Sequence, residues 1–252
     1  MRIFLTGATG YVGSAVARRL AREHDVLALV RSDASARAVT AIGVTPVHGD
    51  ITQPETFADA EVMMHVAAMD GPQRVEIDRA AAQAMLGMKP RLFVYTSVMF
   101  VLGDVDGADE DTAPNPPAWI AERARTETMM RDAGACVIRP GMVYGGDAGG
   151  AVNELLRTNM IIGDGENRWP LVHRDDVAGL YALVIENDAR GIFHAVDDEP
   201  KRVNELAPHA THIALEDARA ELGAFADALC LDQVVRAPRS KALGWRPRAF
   251  AV

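Results

Sequence analysis

Three glycines at three-residue spacing carry the clearest chemistry in the chain: Ile3-Phe4-Leu5-Thr6-Gly7-Ala8-Thr9-Gly10-Tyr11-Val12-Gly13. In a strand–turn–helix setting the first glycine allows the tight turn, the second lets a pyrophosphate approach the backbone, and the third lets helix and strand pack closely. The exposed amides and dipole at the helix start favour the anion. Gly7, Thr9, Gly10, Tyr11, Val12 and Gly13 are therefore candidate cofactor-binding residues for a nicotinamide dinucleotide. Its 2′ position is read at the end of the second strand, where an acid suits a free ribose hydroxyl and a cation suits a 2′-phosphate. The chain has Leu29-Val30-Arg31-Ser32 there, with Arg37 about a turn further on, so NADP is expected in preference to NAD. Solvated surface charge is the alternative for both arginines. Asp50, in His48-Gly49-Asp50-Ile51, is placed to accept a hydrogen bond from the adenine amino group or to stabilise its own turn.

These residues need a parallel sheet to hold them. Short apolar runs at Arg2–Thr6, Val26–Val30, Thr45–His48, Val62–Val66, Arg91–Thr96 and Cys136–Arg139 read as strands. Helical stretches separate them at Val12–Arg22, Ser35–Ile42, Val75–Met88 and Ile120–Asp132. Val12, Val16, Ala17 and Leu20 share one face of the first helix. After Arg139 glycines crowd the chain and loops with few long elements are expected, followed by a helix at Asp175–Ile185, a strand at Gly191–Val196 and short helices at Leu215–Leu222 and Asp232–Val235. The pattern predicts an α/β fold, a Rossmann-like doubly wound parallel sheet with a small C-terminal substrate lobe. The dinucleotide-binding domain is expected over residues 1–145 and the mixed lobe over 146–252, interleaved through a strand and helix near 175–196.

Composition narrows the function classes. The 252 residues are 49% hydrophobic and 24% charged, as in an ordinary globular protein. A net charge of −9 argues against general affinity for nucleic acid or an anionic membrane. No apolar run reaches the ~20 residues that span a bilayer. Cys136 and Cys230 lack the spacing of a disulfide framework or a metal site, so free thiols in a reducing, cytoplasmic setting and no metal are expected. The first residues run straight into Ile3-Phe4-Leu5 with no apolar targeting core.

Seven segments in order carry a resemblance: the glycine turn, His48-Gly49-Asp50-Ile51, His65-Val66-Ala67-Ala68, Tyr95-Thr96-Ser97, Arg139-Pro140-Gly141-Met142-Val143-Tyr144-Gly145, Val172-His173-Arg174-Asp175-Asp176-Val177-Ala178 and Leu243-Gly244-Trp245-Arg246-Pro247. Over nearly its whole length the chain resembles the extended short-chain dehydrogenase/reductases, the NAD-dependent epimerase/dehydratase group. The resemblance implies further cofactor contacts at Ile51, Ala67, Pro140, Val143 and Arg123. It also implies a Ser that orients a carbonyl, a Tyr that moves a proton and a Lys four residues on. The matching positions hold Val98, Trp119 and Arg123.

Those replacements change the chemistry. A phenol with a pKa of ~10 can be drawn toward neutrality by a cation, whereas an indole N–H only donates. Arginine keeps its charge and can hold ribose hydroxyls, but it does not relay a proton. Proton delivery then needs another group, and such help is worth ~10²–10⁴-fold. Tyr144 and Ser97 join Trp119 and Arg123 as catalytic candidates, with packing the alternative for Tyr144. Met99, Trp119, Arg168 and His173 are candidate substrate contacts; Phe100, Met142 and Trp169 would complete an apolar lining, with Arg168 the only obvious anion-binding group in the neighbouring loop. His173 has the alternative of fixing a helix start, and His65 reads as a satisfied near-core residue.

Two readings follow from these residues. One is an NADP-dependent oxidoreductase acting on a small carbonyl or hydroxyl compound. The other is a catalytically inactive NAD(P)-binding sensor or structural module. The helices at Val75–Met88 and Ile120–Asp132 would permit a homodimer.

Overall fold

The computed structural model describes residues 1–67, 74–146 and 149–250. The first half runs β1 (Arg2–Thr6), α1 (Tyr11–Leu20), β2 (Asp25–Val30), α2 (Asp33–Thr40), β3 (Thr45–His48), β4 (Val62–His65), α3 (Arg74–Gly87), β5 (Leu92–Thr96), β6 (Val105–Ala108), α4 (Ala121–Asp132) and β7 (Cys136–Pro140). It continues through β8 (Met142–Tyr144), α5 (Ala151–Thr158), β9 (Met160–Ile162), β10 (Arg168–Trp169), β11 (Leu171–His173), α6 (Arg174–Glu186), β12 (Gly191–Ala195) and β13 (Lys201–Arg202). The last elements are α7 (Val203–Leu206), β14 (Thr211–Ile213), α8 (Leu215–Leu222), α9 (Phe225–Leu229), β15 (Gln233–Val235) and α10 (Pro238–Ala242).

The central sheet has seven strands in the order β12-β7-β5-β4-β1-β2-β3. The pairs β3–β2, β2–β1, β1–β4, β4–β5 and β5–β7 are parallel. Every residue of β4 and β5 is buried, as expected for strands covered on both faces. Successive strands move outward in one direction from β1 to β3 and in the other from β1 through β4. The order reverses beside β1, and such a switch point opens a crevice at the strand carboxyl ends.

Contacts divide the chain into two compact units. The first is Met1–Ser97, Arg125–Ile138 and Val177–Ile192; the second is Val98–Ala124, Arg139–Asp176 and Phe193–Val252. In the first unit a buried polar chain ties strand ends to α3. Thr6 Oγ1 lies 2.8 Å from His65 Nδ1, and His65 Nε2 lies 3.1 Å from Asp78 Oδ1. The Tyr95 hydroxyl donates to Asp78 Oδ2 at 2.6 Å. His65 is thus a satisfied core residue, as expected.

The second unit is built from short strand pairs, β8–β11, β9–β14, β10–β13 and β6–β15, around a core that includes Met142, Trp169, Leu171 and Leu206. Arg139 is fully buried with its guanidinium 3.2 Å from His194 Nε2. Glu110, also buried, accepts from the backbone N–H of Ser240 at 3.2 Å. A Cβ at position 141 would lie 2.3 Å from the Pro170 carbonyl oxygen, so the turn after Arg139 requires glycine.

One expectation needs correction. Asp232–Val235 is not a helix. Gln233–Val235 forms β15 beside β6, with Gln233 and Val235 buried and Val234 half-buried, the period-two pattern of a strand. Val234-Val235 has the β-branched character that favours this state. The glycine-rich stretch after Arg139 holds loops with few long elements, as expected, and the eight-residue α5 is the longest. Its α5 buries Val152 and Leu155, and Asn159 ends it in the left-handed conformation at φ 52°.

Candidate functional site

The glycine turn has the geometry that its spacing demands. Gly7 has φ 82°, and a Cβ there would lie 2.6 Å from the Ala67 backbone nitrogen. A Cβ on Gly13 would lie 2.0 Å from the Gly7 carbonyl oxygen. These two glycines bring β1, α1 and the segment after β4 to backbone contact at the switch point. Gly10 caps α1 without a side-chain hydrogen bond, and the first turn contains no acidic residue. Thr9 and Gly10 are exposed, while Tyr11 and Val12 are half-buried. A helix start with no carboxylate or side-chain cap is one that an external anion can complete.

Around this turn the other candidates of the first unit are placed as follows. Arg31 and Arg37 are exposed and form no ion pair among the described residues. Ser32 caps α2 between them by accepting from the Ser35 N–H at 3.2 Å. Asp50 is engaged locally, because its Oδ1 accepts from the Thr52 N–H at 2.8 Å and from the Thr52 hydroxyl at 2.7 Å. Those hydrogen bonds hold its carboxyl below the usual range, with a smaller contribution from the Arg31 charge. The turn-stabilising alternative is therefore occupied. Ile51 is nearly buried and Ala67 half-buried; Ala68, the last residue of the His65 motif, lies outside the described residues. Ser97 is fully buried, and its hydroxyl has no hydrogen-bond partner among the described residues.

In the second unit Trp119 is half-buried, and its ring meets Phe100 edge-on at 6.1 Å. Its indole Nε1 is buried and has no hydrogen-bond partner among the described residues. Arg123, Pro140 and Val143 are half-buried, whereas Met99 is buried. Tyr144 packs edge-on against His173 at 5.2 Å and Phe250 at 4.7 Å, and its hydroxyl also lacks a partner among the described residues. Burial pushes this phenol up to about 12, assisted by the negative charges of Asp197 and Asp176. His173 Nδ1 accepts from the Asp175 N–H at 3.1 Å, which caps α6. Burial and the neighbouring Arg248 charge lower its pKa.

Arg168 is not the open anion-binding group expected from its loop. Asp232 grips it in two places, Nε to Oδ1 at 2.8 Å and Nη2 to Oδ2 at 2.7 Å, and Asp106 lies 3.7 Å away. A partner 64 positions away gave no local signal in the sequence. Asp197 was likewise missed. Buried beneath the backbone N–H groups of Glu199 and Phe250, it is pushed up to about 6 by desolvation. Phe225 completes an aromatic series with Phe100 at 6.3 Å, and no local pattern in the sequence marked it.

Among the described residues no helix is long and apolar enough to cross a membrane, and no cluster of metal-ligating side chains occurs. A family profile described as NAD(P)H-binding matches residues 7–188. The chain is 29% identical over 280 residues to the uncharacterized protein C2A9.02 of Schizosaccharomyces pombe, covering 98% of this chain and 95% of that protein. It is 27% identical over 244 residues to a 3-diazoavenalumate denitrifying reductase of Streptomyces sp, covering 83% of this chain and 80% of that protein. In structure it resembles the human epimerase family protein SDR39U1 (isoform 2), crystallised with NADPH, at TM-score 0.78 and 19% identity over 98% of this chain and 95% of that one. The glycine cradle at the switch point and these matches lead to one conclusion: the chain belongs to the NAD(P)H-binding family and has the Rossmann-like fold of the epimerase/dehydratase group.

Proposed function

We propose that the protein is an NADP-dependent oxidoreductase acting on a small carbonyl or hydroxyl compound, with Val98, Trp119 and Arg123 in place of the family's Ser, Tyr and Lys. The observation that carries the cofactor part of this reading is the cradle at Gly7, Gly10 and Gly13, where Cβ atoms would lie 2.6, 3.2 and 2.0 Å from neighbouring backbone atoms. Arg31 and Arg37, without ion pairs among the described residues, suit the extra phosphate of NADP. When bound, the reduced nicotinamide supplies a hydride.

The remaining roles belong to side chains. Trp119 Nε1–H donates to the substrate oxygen, which would satisfy a buried donor that otherwise has no partner among the described residues. Arg123 holds the cofactor's ribose hydroxyls. The proton comes from water, because an indole does not give one up and Tyr144 is pushed up to about 12. Turnover is correspondingly slow, and the substrate-side contacts are Met99, Trp119 and His173. Cys136 and Cys230 are free, which suits a reducing cytoplasmic setting. Helices α3 and α4 would permit a homodimer.

Thermal unfolding with NADPH and NADH at matched concentrations tests the cofactor assignment. NADPH should raise the midpoint more, and Arg31→Ala should remove the difference. Equal shifts in the unmodified protein would overturn it. A second reading, a cofactor-binding module without chemistry, is favoured by the valine at position 98, which has no group to donate. NADPH oxidation across a panel of aldehydes and ketones decides between the two, and steady turnover would exclude the inactive module.

A further inference from the structure

The second unit encloses a cavity of about 490 Å³, within the size range of small-molecule sites. Its walls include Leu155, Met160, Ile161, Trp169, Leu222 and Phe225. These residues come from α5, β9, β10, α8 and α9, so only the folded unit assembles them. Met160, Leu222 and Phe225 are 43%, 44% and 45% exposed, which keeps large apolar side chains in water at the cavity mouth. Trp169 is a fixed wall, because its Nε1–H donates to the Leu229 carbonyl at 3.0 Å.

The charges at this cavity identify the kind of occupant. Among the described residues its titratable lining groups are Glu154 and Glu221, and no lysine or arginine lines it. Glu154 is paired with Arg157. A phosphate or carboxylate placed here would be desolvated without a cation to meet it, which is strongly unfavourable. An uncharged apolar body meets no such penalty. Phe225 also connects the cavity to the proposed substrate contact, since its ring meets Phe100 at 6.3 Å and Phe100 meets Trp119 at 6.1 Å.

We propose that this cavity binds the uncharged alkyl or aryl body of the substrate and selects hydrophobic carbonyl compounds. The inference rests on the oxidoreductase reading for the word substrate, and on the cavity alone for binding. The test is titration of the full-length, cofactor-free protein with phenyl alkyl ketones of increasing chain length, read by calorimetry. Each added methylene that enters the cavity should tighten binding about fourfold, until the cavity is full.

Met160→Asp and Leu222→Asp, both at exposed positions, should weaken the longest ketone at least tenfold while NADPH affinity stays within twofold. Affinity independent of chain length, or unchanged in both variants, would overturn the proposal. Chain-length-dependent binding without NADPH oxidation would support the cavity and defeat the oxidoreductase reading. Reduction of short aldehydes with neither length dependence nor an effect of the variants would do the reverse.

Discussion

Replacing Gly13 by alanine would put a methyl carbon 2.0 Å from the Gly7 carbonyl oxygen and 2.8 Å from its carbonyl carbon. Ordinary contact begins at 3.4 Å, so the first distance is 1.4 Å too short (3.4 − 2.0) and both neighbours are backbone. Helix α1 must therefore move away from the end of β1. Overpacking of this kind costs about 1–3 kcal/mol of stability. The same movement takes the α1 amides away from a bound diphosphate, and an N–H···O bond of about 2.9 Å stretched by more than 1 Å is lost. One charge-assisted hydrogen bond is worth about 1.5–3 kcal/mol, so NADPH should bind roughly ten- to hundredfold more weakly.

Gly179→Ala is the matched control. Gly179 lies inside α6, and its added methyl would meet nothing within 4 Å. Helix propensity predicts a gain of about 1 kcal/mol with NADPH affinity unchanged. Urea unfolding gives the stabilities, and fluorescence titration of NADPH gives the affinities. Wild-type affinity in Gly13→Ala would refute the cradle geometry, and parallel behaviour of the two variants would refute its local cause.

Acid stability and a phenol provide the other checks. Burial and the Arg139 charge push His194 down to about 3, so between that value and about 6.5 the unfolded chain binds a proton that the folded one does not. Stability should be full above about pH 6.5 and lower by about 2 kcal/mol at pH 5 from this group, and His194→Gln should flatten that slope in urea titrations. Asp197, raised to about 6, has the opposite sign, so Asp197→Asn should remove a loss of stability that develops as pH rises from about 4 to 6. An unchanged slope in His194→Gln would rule out its buried neutral state. Tyr144→Phe removes a buried hydroxyl without a partner among the described residues and should raise stability by about 1 kcal/mol, leaving the pH–rate profile of NADPH oxidation unchanged. A tenfold loss of turnover would instead make Tyr144 the proton donor.

Much of the first unit could be read before folding. The turn at Gly7, Gly10 and Gly13, the strands from β1 to β5 and the buried face of α1 follow from residue size, glycine placement and periodicity within a few positions of each other. Leu215–Leu222 was placed at its observed bounds for the same reason. The second unit was less readable. Its strands span only two to four residues, too short for alternation to separate strand from helix, and β15 was misread on that account.

What the order of residues dictates here is therefore steric and close at hand: where the backbone must turn, which side of a helix is apolar, and where an anion can rest. Charge compensation and cavity shape were decided by contacts across long stretches of chain. Arg168 loses its anion-binding freedom to Asp232, 64 positions away, and the apolar cavity forms only when α5, β9, β10, α8 and α9 converge. Burial and pairing depend on which distant groups exclude water from one another, and only tertiary packing determines that.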